Sequence, residues 1–394
     1  MLTGAANGNA GENAPMRTSV EVLVIGGGIA GISAAARIAQ HAETIVLERE
    51  SALGYHSSGR SATFYHFGIG NDPVRGMTAA SSDFFAAPPA DYHDGPLWTE
   101  KPALFIADRN SMPELEALHV EMDRFTTTIS RVGPEEMLGI VPVLKTGEEG
   151  VVAGLLDTGG RKLDADALLQ ANARAFRRAG GAVVFDAPVT AIARAGDRWE
   201  VETPAGYWSA RILVNAAGAW ADAIAGMAGV KPLGLQPLRR TIIGFAPPPE
   251  LDVSGWPFLK TVADEGFYML PDAGLLLASP MDVTPVEPCD VQPDEYEVAL
   301  AAWRVEEATT LNVGRVSTRW AGLRSFVADK VPTAGFAPDA DGFFWLAGQG
   351  GYGLQTAPAM AMAVEALMFD LAWPDALRAQ GVAPEQIRPE RLFR

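Results

Sequence analysis

"SVEVLVIGGGIAGISAAARIAQHAETIVLERE", Ser19–Glu50, is the stretch whose reading decides the fold. "VEVLVI" is a continuous apolar run of strand length. It enters "GGGIAG", where Gly26, Gly28 and Gly31 have G-x-G-x-x-G spacing. A small-residue helix pattern, "ISAAARIAQ", follows, and a second apolar run, "TIVLE", ends at Glu48. Gly26 permits a tight turn, Gly28 a close approach of backbone to a pyrophosphate, and Gly31 close packing of helix on strand. Glu48 lies 20 residues beyond Gly28, where an acid meets ribose hydroxyls. Ile29 and Ala30 open the helix. Strand, turn, helix, strand and acid in that order predict a Rossmann-type βαβ unit rather than a glycine corner without a ligand. The motif does not separate NAD from FAD.

The rest of the composition narrows the field. A chain of 394 residues, 48% hydrophobic and 20% charged, can bury a large core in more than one lobe. The net charge of −17 argues against a nucleic-acid surface. One cysteine, Cys289, rules out an internal disulfide, and the five histidines lack metal-ligand spacing. No apolar run reaches the ~20 residues of a membrane helix. Residues 1–18 are small and polar, with no basic start or apolar core of a secretory signal. They read as a disordered tail on a cytoplasmic protein.

A second glycine-rich helix entry lies near the C-terminus, in "FFWLAGQGGYGLQTAPAMAMAVEALMFDLA". A strand at Phe343–Ala347 leads into Gly348, Gly350, Gly351 and Gly353, and a helix is predicted from about Gln355, with Pro358 in its first turn. Two such entries can flank one long cofactor, or the second can be a core helix with glycines for packing. Asp164–Gly180 reads as a capped helix, Pro293–Leu311 as another, and Val189–Gly206 as a hairpin. "WAGLRSFVADKVPTAG" sets Arg324 among apolar and small neighbours. A buried cation needs an anion: an acid such as Asp329, or a substrate.

"RESALGYHSSGRSATFYH" (Arg49–His66), "ILVNAAGAWAD", "GLQPLRRT", "AGLRSFVAD" and "GQGGYGLQT", taken with the first motif, resemble the FAD-dependent D-amino-acid oxidoreductase family, its D-arginine dehydrogenase type most of all. The resemblance runs over nearly the whole chain. It implies an α/β fold: a discontinuous Rossmann-type FAD-binding lobe (19–95, 152–235 and 325–394) and an α+β substrate lobe with an antiparallel sheet (96–151 and 236–324). It implies non-covalent FAD, although His56 could form a covalent link. Beside Gly26, Gly28, Ile29, Ala30, Gly31 and Glu48, it places Arg49, Ser57, Ser61, Ala62, Val189, Ala217, Gly218, Gly350, Gly351, Tyr352, Gly353 and Gln355 at the cofactor. Arg324 would hold the substrate carboxylate, with Tyr268 donating to it and Arg240 as a second pocket arginine. Only one of Arg239 and Arg240 can face inward on a strand. Phe64, Tyr65, His66, Ile69, Ala103, Lys260 and Gly351 would line the substrate pocket. His66 and Tyr65 are candidates for assisting amine deprotonation by position only.

The implied reaction moves a hydride from the amino acid Cα to the flavin; the imine then hydrolyses to a 2-oxo acid and ammonia. The electron acceptor is a quinone, an artificial acceptor or O2. The expected partners are a small amino acid and that acceptor, with no nucleic acid and no integral membrane segment; peripheral membrane association stays open. The chain departs from the arginine-type pattern at one end of the pocket. Ala103 stands where that pattern has Glu, and Phe64 and Ile69 where it has His and Tyr. Losing the acid disfavours a cationic side chain, so neutral or hydrophobic D-amino acids are expected to be preferred. Glu100 could replace the acid, and Lys260 could instead favour an acidic side chain. Three other readings share parts of this sequence: a glycine/sarcosine-type amine oxidase using O2, a non-catalytic FAD-binding scaffold, and an NAD-dependent dehydrogenase.

Overall fold

The computed structural model describes residues 17–393. β1 (Arg17–Ile25), α1 (Ile29–Ile38) and β2 (Thr44–Leu47) form the expected unit. β1 starts two residues before Ser19 because Arg17 and Thr18 pair with Tyr207 and Trp208 of the strand Gly206–Asn215. The rest of the 1–18 tail lies outside the described residues.

β1 sits between two parallel neighbours, β2 and Gly206–Asn215. β2 pairs in parallel with Ala182–Val184, and the far end of Gly206–Asn215 pairs in parallel with Phe343–Ala347. The predicted hairpin is present as Ala191–Ala195 and Arg198–Thr203, antiparallel. α1 packs against the helices Ala165–Arg178 and Gly353–Met368. The first of these is capped by Asp164, whose carboxylate accepts from Ala167 N at 2.8 Å. The second begins two residues earlier than predicted, so Pro358 falls in its second turn. That helix is therefore short of one backbone N–H donor.

A second sheet of nine strands stands against this unit. Its order is Thr284–Pro285, Gln236–Phe245, Leu275–Ser279, Tyr268–Asp272, Phe258–Thr261, Ala103–Ala107, Ala153–Asp157 and Ile129–Val132, with Val316–Phe326 also on Gln236–Phe245. Its pairs are antiparallel except that of Phe258–Thr261 with Ala103–Ala107. Ala153–Asp157 corrects the division at 152, which assigned it to the cofactor lobe. Its sequence, "AGLLD", carries no mark of which sheet it joins; pairing on both edges decides that.

The two faces of this sheet separate cleanly. Leu104, Ile106, Leu259 and Met269 pack with Val298, Ala301 and Val305 of the helix Glu295–Ala308. Ala103, Phe105, Phe258, Tyr268 and Ile242 turn the other way, into the core shared with α1 and the C-terminal helix. Side chains on this inner face therefore meet the nucleotide-type unit. Among the described residues no helix is long and apolar enough to cross a membrane.

The junction of β1 and α1 allows no side chain. A Cβ on Gly31 would overlap the Gly26 carbonyl oxygen, and Gly26 itself has φ +106°. Gly31→Ala must push α1 off the turn. The expected loss is about 1–3 kcal/mol of stability, read as a lower urea midpoint; an unchanged midpoint would refute the contact.

Candidate cofactor and substrate site

Between the two sheets runs a cleft with about 1680 Å³ of empty space including its mouth. Its lining runs from the Gly26 turn past Glu48 and Val189 to the arginines of the second sheet, a length that suits an extended dinucleotide. Gly26, Gly28, Ile29 and Ala30 line it at the start of α1. Glu48, Arg49 and Val189 line one stretch, Ser57 and Ser61 another, and Ala217 and Gly218 a third. Gly350, Gly351 and Gly353 close it from the C-terminal side, and Arg240 and Arg324 reach it from the second sheet. Residues as far apart in sequence as Gly26 and Gly353 thus share one wall system, as two glycine-rich helix entries flanking one cofactor require.

Details within the cleft refine the expected roles. A Cβ on Gly28 would meet only Ser58 Oγ, at 3.5 Å, so the space over Gly28 belongs to the cleft. Ser58 was not anticipated, although it sits inside "GYHSSGRSA"; its Oγ accepts from Ile29 N at 3.0 Å and ties that loop to the first turn of α1. Ser57 Oγ donates to Leu323 O at 2.6 Å, which ties the same loop to the second sheet. Glu48 accepts from Gly27 N at 2.7 Å and Glu50 N at 2.9 Å. It braces the glycine turn as well as facing the cleft, and burial raises its carboxyl pKa above the ordinary value. Arg49 lies over the Trp220 ring, 4.9 Å from its centre. Gln349, also unanticipated, lines the cleft and has a buried Nε2 without a partner.

Some expected contacts are elsewhere. Gly31 packs under the turn rather than lining the cleft, as its spacing implied. Tyr352, Gln355 and Ala62 do not line it. Tyr352 sends its hydroxyl to Lys330 O. Gln355 gives its amide to Thr78 Oγ1 at 2.8 Å and to the backbone of His66. Both residues head the C-terminal helix, where one turn points side chains in every direction. Tyr65 also leaves the pocket: strand alternation turns it away from Phe64, and it packs on Phe85 and Trp98 and donates to Thr78 O at 3.2 Å.

The expected substrate end is built on the inner face of the second sheet. Arg240 and Arg324 lie on adjacent antiparallel strands, with Arg240 opposite Gly322 and Arg324 opposite Leu238. The side chains of Arg240, Arg324 and Leu238 point to one face. Arg239, on the other face, pairs with Glu297 at 2.7 Å. Arg240 donates to Asp282 O at 2.8 Å, and the Asp282 carboxylate, 3.7 Å from Arg240 Nε, is held by Thr241. Burial, and then the charge of Arg324, push Arg240 down to about 9. Among the described residues Arg324 makes no ion pair or side-chain hydrogen bond; Asp329, its alternative partner, pairs with Arg391 at 2.7 Å. The Tyr268 hydroxyl is buried and also without a partner.

Phe64 stacks on Phe258 with ring centres 4.4 Å apart, and His66 packs against both Phe258 and Phe105. His66 Nδ1 accepts from Gly68 N at 3.1 Å, which places the ring proton on Nε2. Burial, and then the charges of Lys260 and Arg75, push this imidazole down to about 3, so it is neutral. Ile69 is partly buried against the same core, and Ala103 is fully buried. Glu100 is exposed on an edge strand and does not take the place of the acid missing at Ala103. Lys260 is largely buried, not solvated; its Nζ donates to Thr261 O at 3.1 Å.

A family model described as FAD dependent oxidoreductase matches residues 21–367. Human mitochondrial dimethylglycine dehydrogenase is 28% identical over 227 residues, which cover 54% of this chain and 24% of that protein. The chain therefore matches about a quarter of the length of that relative. An L-α-glycerophosphate oxidase from Mycoplasma pneumoniae with FAD bound superposes with a TM-score of 0.81 at 19% identity, over 89% of this chain and 95% of that one. An L-proline dehydrogenase from P. horikoshii superposes at 0.79 with 20% identity, over 96% and 99%. These two share the fold with this chain.

The open space over Gly28 makes a second variant informative. Gly28→Ala adds a methyl that the protein itself accommodates, so the urea midpoint of the apoprotein is expected to stay within about 0.5 kcal/mol of wild type. The same methyl intrudes on the cleft, so flavin released per mole of purified protein is expected to fall severalfold. Full flavin content in this variant would place the cofactor elsewhere.

Proposed function

The chain belongs to the FAD dependent oxidoreductase family, and from that premise we propose that it oxidises the amine of an α-amino acid whose carboxylate is held by Arg324. The cleft fits FAD: Gly28 leaves room for it, Gln349 holds a buried donor without a partner, and two glycine-rich helix entries converge on one wall. When bound, FAD supplies the two-electron acceptor for a substrate C–H beside nitrogen. His56 lines the cleft, but its Nε2 is hydrogen-bonded to Glu50 at 2.9 Å; the cofactor is read as non-covalent, as the resemblance implies.

The observation that carries the reading is Arg324, a cation in the cleft with no protein anion. Its planar fork suits a carboxylate through two parallel hydrogen bonds. Tyr268, with its buried hydroxyl unpaired, supplies a further donor to the same group, and Arg240 adds charge. The fold alone does not choose an amine, since a glycerophosphate oxidase shares it. The carboxylate anchor and the amine-oxidising sequence relative favour one.

On this reading the Phe64, Phe258 and Phe105 cluster, packed with His66 and Tyr268, would wall the substrate end and exclude water from one side. His66, neutral with its proton on Nε2, does not act as the base. Asp282 is occupied by Thr241 and Arg240. The amine therefore enters the reaction already deprotonated. The D configuration follows from the sequence resemblance, which also favours a dehydrogenase; the acceptor is a quinone, an artificial acceptor or O2. Phe64, Ile69 and Ala103 offer nothing to a guanidinium or ammonium side chain, and Lys260 repels it, so basic substrates are disfavoured. Lys260 decides between neutral and acidic ones. Dimethylglycine dehydrogenase as a sequence relative favours a second reading, N-methylated glycines as substrates with the same Arg324 anchor.

Anaerobic mixing with D- and L-amino acids, sarcosine and dimethylglycine tests this directly. Bleaching of the flavin by one of them is expected, and bleaching by none would leave the non-catalytic scaffold standing. Arg324→Ala is expected to lower kcat/KM about 10²–10³-fold, as loss of a desolvated charge partner does, while flavin content stays that of wild type. The profile of kcat/KM against pH should be bell-shaped. It rises as the substrate amine loses its proton. It falls above about pH 8, because burial and the charge of Arg240 push Lys260 down to about 8 and its attraction for an anion is present below that value and lost above it. A profile that keeps rising through pH 9 would remove Lys260 from the site.

A further inference from the structure

We infer that Lys260 is a second anion-binding group of the substrate pocket, and that the preferred substrate is an amine carrying two carboxylates. This rests on the reading that Arg324 holds the α-carboxylate.

Lys260 lies on the strand Phe258–Thr261, directly across from Tyr268 on one side and Phe105 on the other. Phe258, two residues away and so on the same face, stacks on Phe64. The lysine thus rises from the inner face, among the groups assigned to the side-chain end of the pocket. Its Nζ has one protein partner, the carbonyl of Thr261. Among the described residues its ammonium pairs with no carboxylate. Asp264, the acid that acts on it, lies exposed in the following loop.

Cations predominate around it. The charge of Arg240 acts on Lys260 and that of Arg324 on Arg240, His66 is neutral, and Asp282 is the buried acid beside the two arginines. Asp282 offsets a single cation, so three cations leave an excess of two charges. An α-carboxylate offsets one. Because a reacting amine is uncharged, a monocarboxylate substrate leaves a buried ammonium without an anion, at a cost of several kcal/mol. A second carboxylate removes that cost. The spacing suits a small diacid. Lys260 and Arg240 stand three strand spacings apart and two residues out of line, about 16 Å between backbones, with the inner-face positions of Tyr268 and Ser279 between them. Burial weakens the hold of Lys260 on its proton, but at about 8 the group remains mostly charged at neutral pH.

The test uses the FAD-loaded enzyme and matched pairs: D- and L-glutamate against glutamine, aspartate against asparagine, and iminodiacetate against sarcosine. In wild type the diacid of at least one pair is expected to exceed its neutral partner in kcat/KM by 10-fold or more. Lys260→Met removes the charge and keeps the length. It should lower kcat/KM for the diacid about 10²-fold and leave the neutral partner within about threefold. Succinate and acetate, which do not react, give a readout separate from turnover: Lys260→Met should weaken succinate binding, followed by the flavin absorbance change, and leave acetate unaffected. Neutral partners favoured by wild type, or an equal loss for both members of a pair, would overturn the inference. If no amine bleaches the flavin yet succinate binding still depends on Lys260, the dianion site stands and the amine reading fails. If Lys260→Met is insoluble, Lys260→Gln carries the same comparison.

Discussion

Only a hydrogen fits on the α-carbon of Gly31, because the Gly26 carbonyl lies against it. This contact sets the angle at which α1 leaves β1. The angle aims the first turn of α1 along the cleft, and Ser58 then fastens the following loop to Ile29. From that loop, Ser57 reaches Leu323 on the second sheet. A close approach of backbone to backbone near the N-terminus is thereby coupled, through two serine hydroxyls, to the strand that carries Arg324.

The second constraint is electrostatic. Gln236–Phe245 carries two consecutive arginines on opposite faces, and the faces receive different treatment. Arg239 meets Glu297 and is neutralised. Arg240 meets Arg324 from the neighbouring strand and shares Asp282 with Thr241. A fold selected for stability alone would supply acids on the inner face as it does on the outer one. Around Arg240 and Arg324 the inner face instead keeps cations and an unpaired tyrosine hydroxyl, the pattern expected where a ligand completes the charge balance.

The nucleotide unit was legible because its requirements are local. Glycines at fixed spacing, an apolar strand before them and an acid after β2 are all read within 32 residues. The C-terminal glycines, the Asp164 cap and the hairpin at Ala191–Thr203 were legible for the same reason. The helix-borne contacts were not. Gln355 and Tyr352 sit in the expected glycine-rich entry, but which side of a turn a residue occupies depends on where the helix begins, and it began two residues early. Tyr65 was misplaced by strand alternation, since Phe64 and His66 occupy the pocket face and leave it the other. Ala153–Asp157 joined the second sheet for a reason carried by its neighbours alone.

By itself, then, the sequence determined that a dinucleotide site exists and where its turns lie, since backbone conformation at glycine follows from chain neighbours. Which charges remain unpaired was decided by the tertiary structure alone. Arg239 finds Glu297 and Arg391 finds Asp329, partners 58 and 62 residues away. Among the described residues Arg324 and Lys260 form no ion pair with any acid. Pairing between residues so far apart depends on strand order and facing, and no local pattern of residues encodes either one.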